Sequence, residues 1–466
     1  MKYKEKKYQP VLVKEEVLLD YRVHQEKLNK NLKGTKKDYG IFFTPEWIID
    51  FMVDLVDTGS IIDKEIYVLE PACGLAQFLI GIKKNKPALS KKAKFFGVEI
   101  NQDVINYLKS LHIPDDIRII RDDYLLWQSD LLFNLIIGNP PYGIPSSSEH
   151  YTIKVSPPTK AKYKRQYETW YGKYNIYGAF VEKSIRLLKP GGQLIFIIPA
   201  TFMILDEFKK LRKFLSQNGG TAIIYMGPDV FKPEADVSSV VINFLKSAKF
   251  AKRLELLEYA NGKVKTVKIA TDWQGEVVKF ETKYTKNIED MCSYSLGEIY
   301  EIRISPRTSE IKNNPCVLVN ISVNGKEYLP ILNGRNLASN MIIYEPLTGY
   351  WIKKTEINKL RNFFSIPHIV VGLGFRKNGN VAAAKEEKCY PWMGDVYHLL
   401  RRNNLFGFSF DMSDSDVVEY LNSDYVKKYV KDMYREITYH LSITQLKNLP
   451  LPNKKEWGKI KEKWSL

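Results

Sequence analysis

Between about residues 67 and 245, the hydrophobic positions fall into short continuous runs that are rich in β-branched residues. The runs are YVLE, KFFGVEI, IRIIRD, FNLIIGN, GGQLIFIIP, TAIIYMG and VSSVVINFL. Continuous apolar runs of this length predict strands that are buried on both faces. Amphipathic segments at 175–188 and 205–215 separate some of these runs and predict helices. The alternation predicts an α/β fold with a doubly wound, mostly parallel sheet.

Both ends of this region carry a further local signal. The last two runs are joined by MGPDVFKPEAD without a helical pattern, so we predict an antiparallel hairpin at the sheet edge. Before the first run, Thr44 and Pro45 precede the amphipathic segment EWIIDFMVDLVD. A threonine N-cap followed by proline at the first helical position is typical of a helix start.

The alternation of strands and helices ends near Ala248. Beyond it, shorter mixed segments carry Pro and Gly punctuation, many aromatic residues and clustered basic residues. We therefore predict a first domain over residues 1–245, a linker over 246–285 and a second, α+β domain over 286–466. A length of 466 residues agrees with more than one domain.

The net charge of the chain bears on the kind of partner that it binds. Lys and Arg number 70 against 53 Asp and Glu, which gives a net charge of +17. An excess of this size favours a polyanionic partner such as nucleic acid, although a lysine-rich solvated surface produces it equally well. The four cysteines show no paired spacing, which argues against disulfides and a zinc cluster and favours a reducing cytoplasm. No signal peptide or long apolar run is apparent, so we expect neither export nor a membrane partner.

One motif at the end of a strand carries chemical information. Asn139, Pro140, Pro141 and Tyr142 directly follow the run FNLIIG, so a rigid loop lies at the carboxyl end of a strand, where α/β sheets bind ligands. An isolated motif of this kind is more often an exit turn. Here, however, VLEPACG also leads a strand into a small-residue turn, and two further strands end in acids, at Glu99 and at Asp122-Asp123.

These strand ends predict a cofactor. An acid after the second strand suits a ribose, and an acid with an aromatic ring after the third suits an adenine. The first turn lacks GxGxxG, and the chain has no Walker P-loop, so NAD and ATP fit poorly. S-adenosylmethionine fits best.

Seven ordered segments resemble the motifs of gamma-class, N6-adenine DNA methyltransferases. They are FFTPEWIIDFMV, VLEPACG, FFGVEI, DDYLLW, IIGNPPYG, NIYGAFVEKSIRLLKPGG and VFKPEADVSSVVINF. Later segments, including NGRNL, PHIVVG, LNSDYV and YREITYHLSITQLKNLPLP, resemble the C-terminal target recognition domain of the TaqI-type modification methylase. The resemblance runs from about Lys37 to Pro452. It implies a methyltransferase domain with the S-adenosylmethionine-dependent fold, followed by a DNA recognition domain.

The resemblance also implies roles for individual residues. Its cofactor contacts fall on Thr44, Glu70, Ala72, Glu99, Ile100, Asp123, Tyr124, Pro141 and Phe180. Its catalytic pocket falls on Asn139, Pro140, Tyr142 and Phe231. The chain departs from the family pattern at Ala76, where a second glycine is usual, and at Tyr124, where phenylalanine is usual.

The chemistry of an exocyclic adenine amine explains why this loop suits methylation. The lone pair is delocalised into the ring, and hydrogen bonds to the Asn139 side-chain oxygen and the Pro140 carbonyl localise it. Within a duplex, the base must also rotate out of the stack. Stacking on Tyr142 and Phe231 offsets that cost, although core packing is the alternative role of either ring.

The resemblance assigns sequence reading to the second domain, where basic side chains contact phosphates and base edges. We predict DNA contacts at Arg335, Arg376, Lys377 and Arg435, and favour residues 374–380 for groove entry. A solvated surface charge is the alternative for each residue taken singly. The expected partners are double-stranded DNA and a separately encoded restriction endonuclease, and we expect a monomer.

Other functions share part of this pattern. A protein-glutamine methyltransferase uses the same loop because a glutamine amide poses the same chemical problem, but it predicts no large basic domain. An RNA adenine methyltransferase needs no duplex extrusion. A non-catalytic DNA specificity protein is disfavoured by the intact NPPY loop and the acidic strand ends.

Overall fold

The structure, a computed structural model, forms two compact units, Met1–Lys279 and Phe280–Leu466. It describes residue 27 and residues 43–463, except 60–62, 112, 147–152, 233–236, 320–326, 373–381, 395, 403–409, 436 and 439–440.

The first unit is built from strands and helices that alternate along the chain. Its helices are α1 (Glu46–Asp54), α2 (Gln77–Asn85), α3 (Pro87–Ser90), α4 (Gln102–Ser110), α5 (Pro157–Gln166), α6 (Tyr177–Leu187) and α7 (Lys209–Asn218). Its strands are β1 (Ile66–Pro71), β2 (Ala93–Glu99), β3 (Ile117–Arg121), β4 (Phe133–Gly138), β5 (Pro145–Ser146), β6 (Ile153–Lys154), β7 (Leu188–Pro199), β8 (Gly219–Gly227), β9 (Ser239–Lys246), β10 (Leu254–Ala260) and β11 (Lys263–Ala270).

Nine of these strands form one sheet in the order β11-β10-β8-β9-β7-β4-β1-β2-β3. The strands from β7 to β3 are mutually parallel, as predicted. Of these strands, β7, β4, β1 and β2 are largely buried, because helices cover both faces of such a sheet, whereas the edge strand β3 is only partly buried. Their carboxyl ends therefore meet along one edge.

The predicted antiparallel pairing of the last two strands is confirmed, since β9 pairs antiparallel with β8 and with β7. These strands do not form the sheet edge, however. β10 pairs parallel with β8, and β11 pairs antiparallel with β10. An antiparallel hairpin does form this edge of the sheet, but it consists of β10 and β11, the next segment of the chain.

The predicted linker at 246–285 is wrong, because this segment carries β10 and β11. Leu254, Leu256 and Leu257 are buried and anchor β10 on the sheet. A signal for this hairpin was present in the sequence: Asn261 and Gly262 take left-handed φ angles of 50° and 73°, and Asn-Gly is a favoured two-residue hairpin turn. The boundary between the units lies at residues 279 and 280.

This correction predicts different behaviour for two fragments. Residues 1–279 should be soluble and unfold cooperatively, whereas residues 1–245 should aggregate. In the shorter fragment, the backbone of β8 loses its β10 partners from Thr221 to Tyr225 and presents an unpaired edge in an apolar strand. Size-exclusion chromatography and thermal unfolding of both fragments test this. Equal solubility of the two fragments would mean that the first unit folds without the β10–β11 hairpin.

Helix α1 starts one residue later than predicted. Pro45 occupies the N-cap position, and no side chain caps the helix. Thr44 is therefore not the cap, because its hydroxyl is bound elsewhere: Oγ1 accepts a hydrogen bond from Asn139 Nδ2 at 3.1 Å.

The second unit combines small sheets with helices. Its helices are α8 (Lys283–Met291), α9 (Leu296–Ile299), α10 (Thr308–Lys312), α11 (Asp414–Asn422), α12 (Asp424–Tyr434), α13 (Ile443–Lys447) and α14 (Lys454–Lys463). Its strands are β12 (Tyr294–Ser295), β13 (Tyr300–Ile304), β14 (Val317–Val319), β15 (Tyr328–Pro330), β16 (Leu337–Ala338), β17 (Met341–Ile342), β18 (Tyr350–Lys353), β19 (His368–Gly372), β20 (Ala383–Glu386), β21 (Val396–Arg401) and β22 (Pro450–Leu451).

An antiparallel sheet in the order β13-β21-β19-β20 forms the centre of the second unit. Buried residues such as Val370, Trp392 and Val396 pack into one apolar cluster beside it. The sheet also encloses a hydrogen-bonded chain of polar side chains, in which His398 contacts Ser305 at 2.9 Å and His368 at 2.8 Å. The architecture is α+β, as predicted.

Candidate active site

The turn after β1 brings the backbone close to the end of β2. A Cβ atom at Gly97 would lie 2.7 Å from Cys73 Sγ and 2.9 Å from Ile119, so only glycine fits between these side chains. Ala72 and Ala76 both take left-handed φ angles, 52° and 54°. A glycine at position 76, as in the family pattern, would adopt this conformation without strain. Burial and the nearby Glu99 and Glu70 raise the pKa of Cys73 well above its usual range.

The carboxylate of Glu99 is fixed by backbone amides at the end of β2. Oε2 accepts from the Gly74 N–H at 3.0 Å, and Oε1 accepts from the Asn101 N–H at 2.8 Å. Burial nevertheless raises the pKa of Glu99. Because each carboxylate oxygen can accept a second hydrogen bond, the group can also bind a pair of hydroxyls.

Glu70 lies at the end of β1 and is buried. Its Oε2 accepts from the Leu79 N–H at 3.2 Å. Burial raises the pKa of Glu70 well above the ordinary value of 4.5, and the charge of Glu99 adds to this shift. The ionised form of Glu70 is therefore disfavoured in the folded protein.

The raised pKa of Glu70 gives the ligand-free protein a pH-dependent stability. Because the folded-state pKa exceeds the unfolded value of 4.5, the stabilisation from this group is complete below that pH and is lost as pH rises through the folded-state pKa. Glu70→Gln should therefore melt at a higher temperature than the unsubstituted protein at mildly alkaline pH, and the difference should vanish toward pH 4.5. Calorimetric melting across this range measures it. A difference that grows on acidification would contradict the assignment.

The loop after β3 is tied to two helices. Asp123 Oδ1 accepts from the Leu125 N–H at 3.0 Å, and Oδ2 accepts from the Tyr163 hydroxyl at 2.6 Å. The Tyr124 ring lies 5.0 Å from the Phe180 ring, and its hydroxyl contacts Ser184 at 2.8 Å. Both rings are buried, so they form a rigid aromatic wall.

The NPPY loop follows β4. The hydrogen bond from Asn139 Nδ2 to Thr44 fixes the donor end of the amide and thereby orients its oxygen. Tyr142 is buried, and its hydroxyl donates to the Ile197 carbonyl at 3.0 Å. Its ring meets the Phe231 ring edge to face at 6.0 Å. The structure thus brings Tyr142 and Phe231 together, as the resemblance implies.

These strand ends surround a cleft of about 430 Å³. It is lined by Asn139 and by every residue that the resemblance assigned to cofactor contact, which are Thr44, Glu70, Ala72, Glu99, Ile100, Asp123, Tyr124, Pro141 and Phe180. The sequence reasoning missed the segment from β6 to α5, which contributes Ile153, Lys154, Val155, Ser156, Thr159 and Tyr163 to the lining. Tyr163 and the aromatic residues that follow α5, Tyr167, Trp170 and Tyr174, are all buried, and this run of aromatic residues in the sequence could have indicated that the segment packs inward.

The predicted DNA contacts fall in the second unit. Arg335 is exposed, and its guanidinium donates to the Leu347 carbonyl at 2.7 Å. Arg435 donates to the Asp432 carbonyl at 3.0 Å and lies 5.0 Å from the Phe280 ring centre, so contacts within its own unit hold it. Arg376 and Lys377 lie outside the described residues.

Comparison with known proteins identifies the family. Residues 73–231 match the Eco57I restriction-modification methylase model, and residues 329–451 match the TaqI-like C-terminal specificity domain. The type II methyltransferase M.TthHB8I of Thermus thermophilus is 37% identical over 417 residues, which cover 88% of this chain and 91% of that relative. This chain belongs to the type II methyltransferase family.

Two further similarities are more limited. The type II restriction enzyme and methyltransferase RM.Eco57I of Escherichia coli is 43% identical to this chain over 86 residues. These residues are 18% of this chain and 8% of that relative. The ATP-dependent Type ISP restriction-modification enzyme LlaBIII, solved bound to DNA, aligns with a TM-score of 0.55 at 14% identity. That alignment covers 96% of this chain and 40% of LlaBIII, and it shows the fold alone.

The methyltransferase uses S-adenosylmethionine, and the cleft fits this cofactor. Glu99 and Asp123 both line the cleft, where their carboxylates would hold a ribose and an adenine amine respectively. Ile100 and Phe180 would add apolar surface.

Among the residues that the structure describes, no helix combines the length and the apolar character that crossing a bilayer requires.

Proposed function

We propose that the methyltransferase is a site-specific DNA-methyltransferase (adenine-specific) that methylates N6 of an adenine in double-stranded DNA. The observation that carries this proposal is the Asn139 amide at the end of β4. Thr44 orients it, and it lines the same cleft as Glu70, Glu99 and Asp123. A hydrogen-bond acceptor for an amine therefore lies beside a cleft suited to the methyl donor.

S-adenosylmethionine, when bound, supplies the electrophilic methyl group. The Asn139 side-chain oxygen and the Pro140 backbone carbonyl each accept one hydrogen bond from the adenine amine and localise its lone pair. An ionisable base is not required, because the amine becomes acidic only as it gains the methyl group. Two nearby ionisable groups suit this scheme poorly as bases, since burial raises the pKa of Tyr142 and of Cys73 well above their ordinary values.

The target adenine must leave the duplex to reach this amide. Extrusion costs a few kcal/mol, roughly what stacking in a protein pocket can return. Tyr142 is held in place by its hydrogen bond to Ile197 and contacts Phe231 edge to face. In this proposal the extruded base stacks on Tyr142 and displaces the edge of the Phe231 ring. Both aromatic rings then contact the base.

The second unit reads the DNA sequence in this proposal. Its match to a TaqI-like specificity domain over residues 329–451 supports the role, as does the chain's net charge of +17. Arg335, Arg376, Lys377 and Arg435 remain the proposed DNA contacts. We further propose that the protein acts as a monomer in the cytoplasm, as the modification partner of a separately encoded endonuclease.

Transfer of a labelled methyl group tests the proposal. The full-length protein is incubated with labelled S-adenosylmethionine and, in separate reactions, with duplex DNA, RNA or a protein acceptor. The labelled nucleosides or amino acids are then separated. Label in N6-methyladenine is the expected result. Label in RNA or in protein glutamine, with none in duplex DNA, would replace this function with one of the alternative methyl acceptors.

A further inference from the structure

The loop that follows Asp123 is held by side chains from the end of α5 and from α6. Buried Tyr167, just after α5, donates to the Leu125 carbonyl. Lys183 of α6 donates to the Tyr124 and Trp127 carbonyls. Its ammonium lies 4.9 Å from the Tyr124 ring centre and 5.9 Å from that of Trp127. These contacts fix the loop backbone in addition to the hydrogen bond from the Leu125 N–H to the Asp123 carboxylate.

Tyr163 acts on the carboxylate itself. Its ring is buried, with 4% exposed, and its hydroxyl donates to Asp123 Oδ2 at 2.6 Å. Burial raises the pKa of Tyr163, and the nearby charge of Asp123 raises it further. The hydroxyl therefore keeps its proton and remains a donor. Together with the Leu125 N–H at Oδ1, it engages both carboxylate oxygens and sets the rotation of the group.

The fixed carboxylate has a consequence for ligand choice. Each oxygen retains capacity for a second hydrogen bond, and Asp123 and Tyr163 both line the cleft. An ionised carboxylate accepts hydrogen bonds and donates none. It therefore favours a purine with a 6-amino group and repels one with a 6-oxo group, and this contrast is strongest when the carboxylate cannot turn away.

We propose that Tyr163 is a positioning residue that makes the cleft selective for adenine over hypoxanthine in its nucleoside ligand. The inference rests on the proposed use of Asp123 as the adenine contact and extends it to a side chain that the family motifs do not include. Tyr163 acts through Asp123 and takes no part in the transfer chemistry.

Calorimetric titration of the full-length protein with two product analogues tests this role. S-adenosylhomocysteine carries the 6-amino group, and S-inosylhomocysteine carries a 6-oxo group in its place. The unsubstituted protein should prefer the adenosine ligand. Tyr163→Phe should weaken binding of the adenosine ligand about tenfold and leave binding of the inosine ligand unchanged. The ratio of the two dissociation constants should therefore fall about tenfold.

Tyr167→Phe is the matched control. It removes a buried hydroxyl of the same segment that donates to the backbone of the loop, so it should change the affinity for both ligands by one common factor. Thermal unfolding of each variant reports whether the fold is retained.

The possible outcomes separate this inference from the function on which it rests. Equal weakening of both ligands by Tyr163→Phe, or no change in either, would overturn the role of Tyr163 while leaving the cofactor site intact. Failure of the unsubstituted protein to bind S-adenosylhomocysteine would instead contradict the proposed cofactor site, and this inference with it.

Discussion

Asn139→Ala is expected to slow methyl transfer severely while leaving cofactor binding largely intact. The substitution removes the side-chain oxygen that localises the amine lone pair, and loss of one such preorganised group slows turnover by about a hundred- to a thousandfold. Cofactor binding persists because Glu99 and Asp123 are held by their own backbone and side-chain partners. Single-turnover methylation of duplex DNA and calorimetry with S-adenosylhomocysteine measure the two effects separately.

Asn139→Asp is the informative companion variant. A carboxylate retains the acceptor, and the Thr44 hydroxyl can donate to it instead of accepting from the amide. Measurable turnover is therefore expected for the aspartate variant and not for the alanine variant. Near-normal turnover of Asn139→Ala would show that the NPPY loop is not the catalytic loop.

Glu99→Ala is expected to weaken cofactor binding strongly. A hydrogen bond to a charged group is worth about 1.5–3 kcal/mol, which corresponds to about a ten- to hundredfold rise in the dissociation constant. The side chain also accepts from the Gly74 and Asn101 amides, so its loss loosens the turn that lines the cleft as well. Calorimetry with S-adenosylhomocysteine gives the dissociation constant directly.

A structural glutamate provides the control for Glu99. Glu182 is fully buried and accepts from the Thr169 N–H at 2.9 Å, but it is not among the residues that line the cleft. Glu182→Ala should lower the melting temperature without changing the dissociation constant. A dissociation constant unaffected by Glu99→Ala would contradict the ribose role of that carboxylate.

The strand ends could be predicted from the sequence because short motifs encode them. Glu70, Glu99 and Asp123 each lie at the end of a predicted strand, and parallel strands bring their carboxyl ends to one edge of the sheet. All three line the cleft as expected. Their individual roles, like those of Asn139 and Tyr142, remain predictions that the experiments above test.

Features that depend on distant contacts were not predictable in the same way. Tyr163 reaches Asp123 across a separation of 40 residues, and no local pattern records such a contact. The residues next to Thr44 in the chain predicted that it caps the helix, whereas its hydrogen-bond partner, Asn139, is 95 residues away. The β10–β11 hairpin was missed for a different reason. β11 is largely exposed or half-buried, so it lacks the apolar run that revealed the other strands.

The close packing around Gly97 limits how this cleft can be engineered. The space beside Gly97 is already taken by Ile119 and by Cys73, which lines the cleft, so substitution at position 97 cannot reshape this side of the cleft. Ile100, in contrast, lines the cleft and is 48% exposed. To accept bulkier synthetic methyl donors, the cleft is therefore better enlarged at position 100. A smaller side chain there adds room without disturbing the strands that hold Glu70 and Glu99.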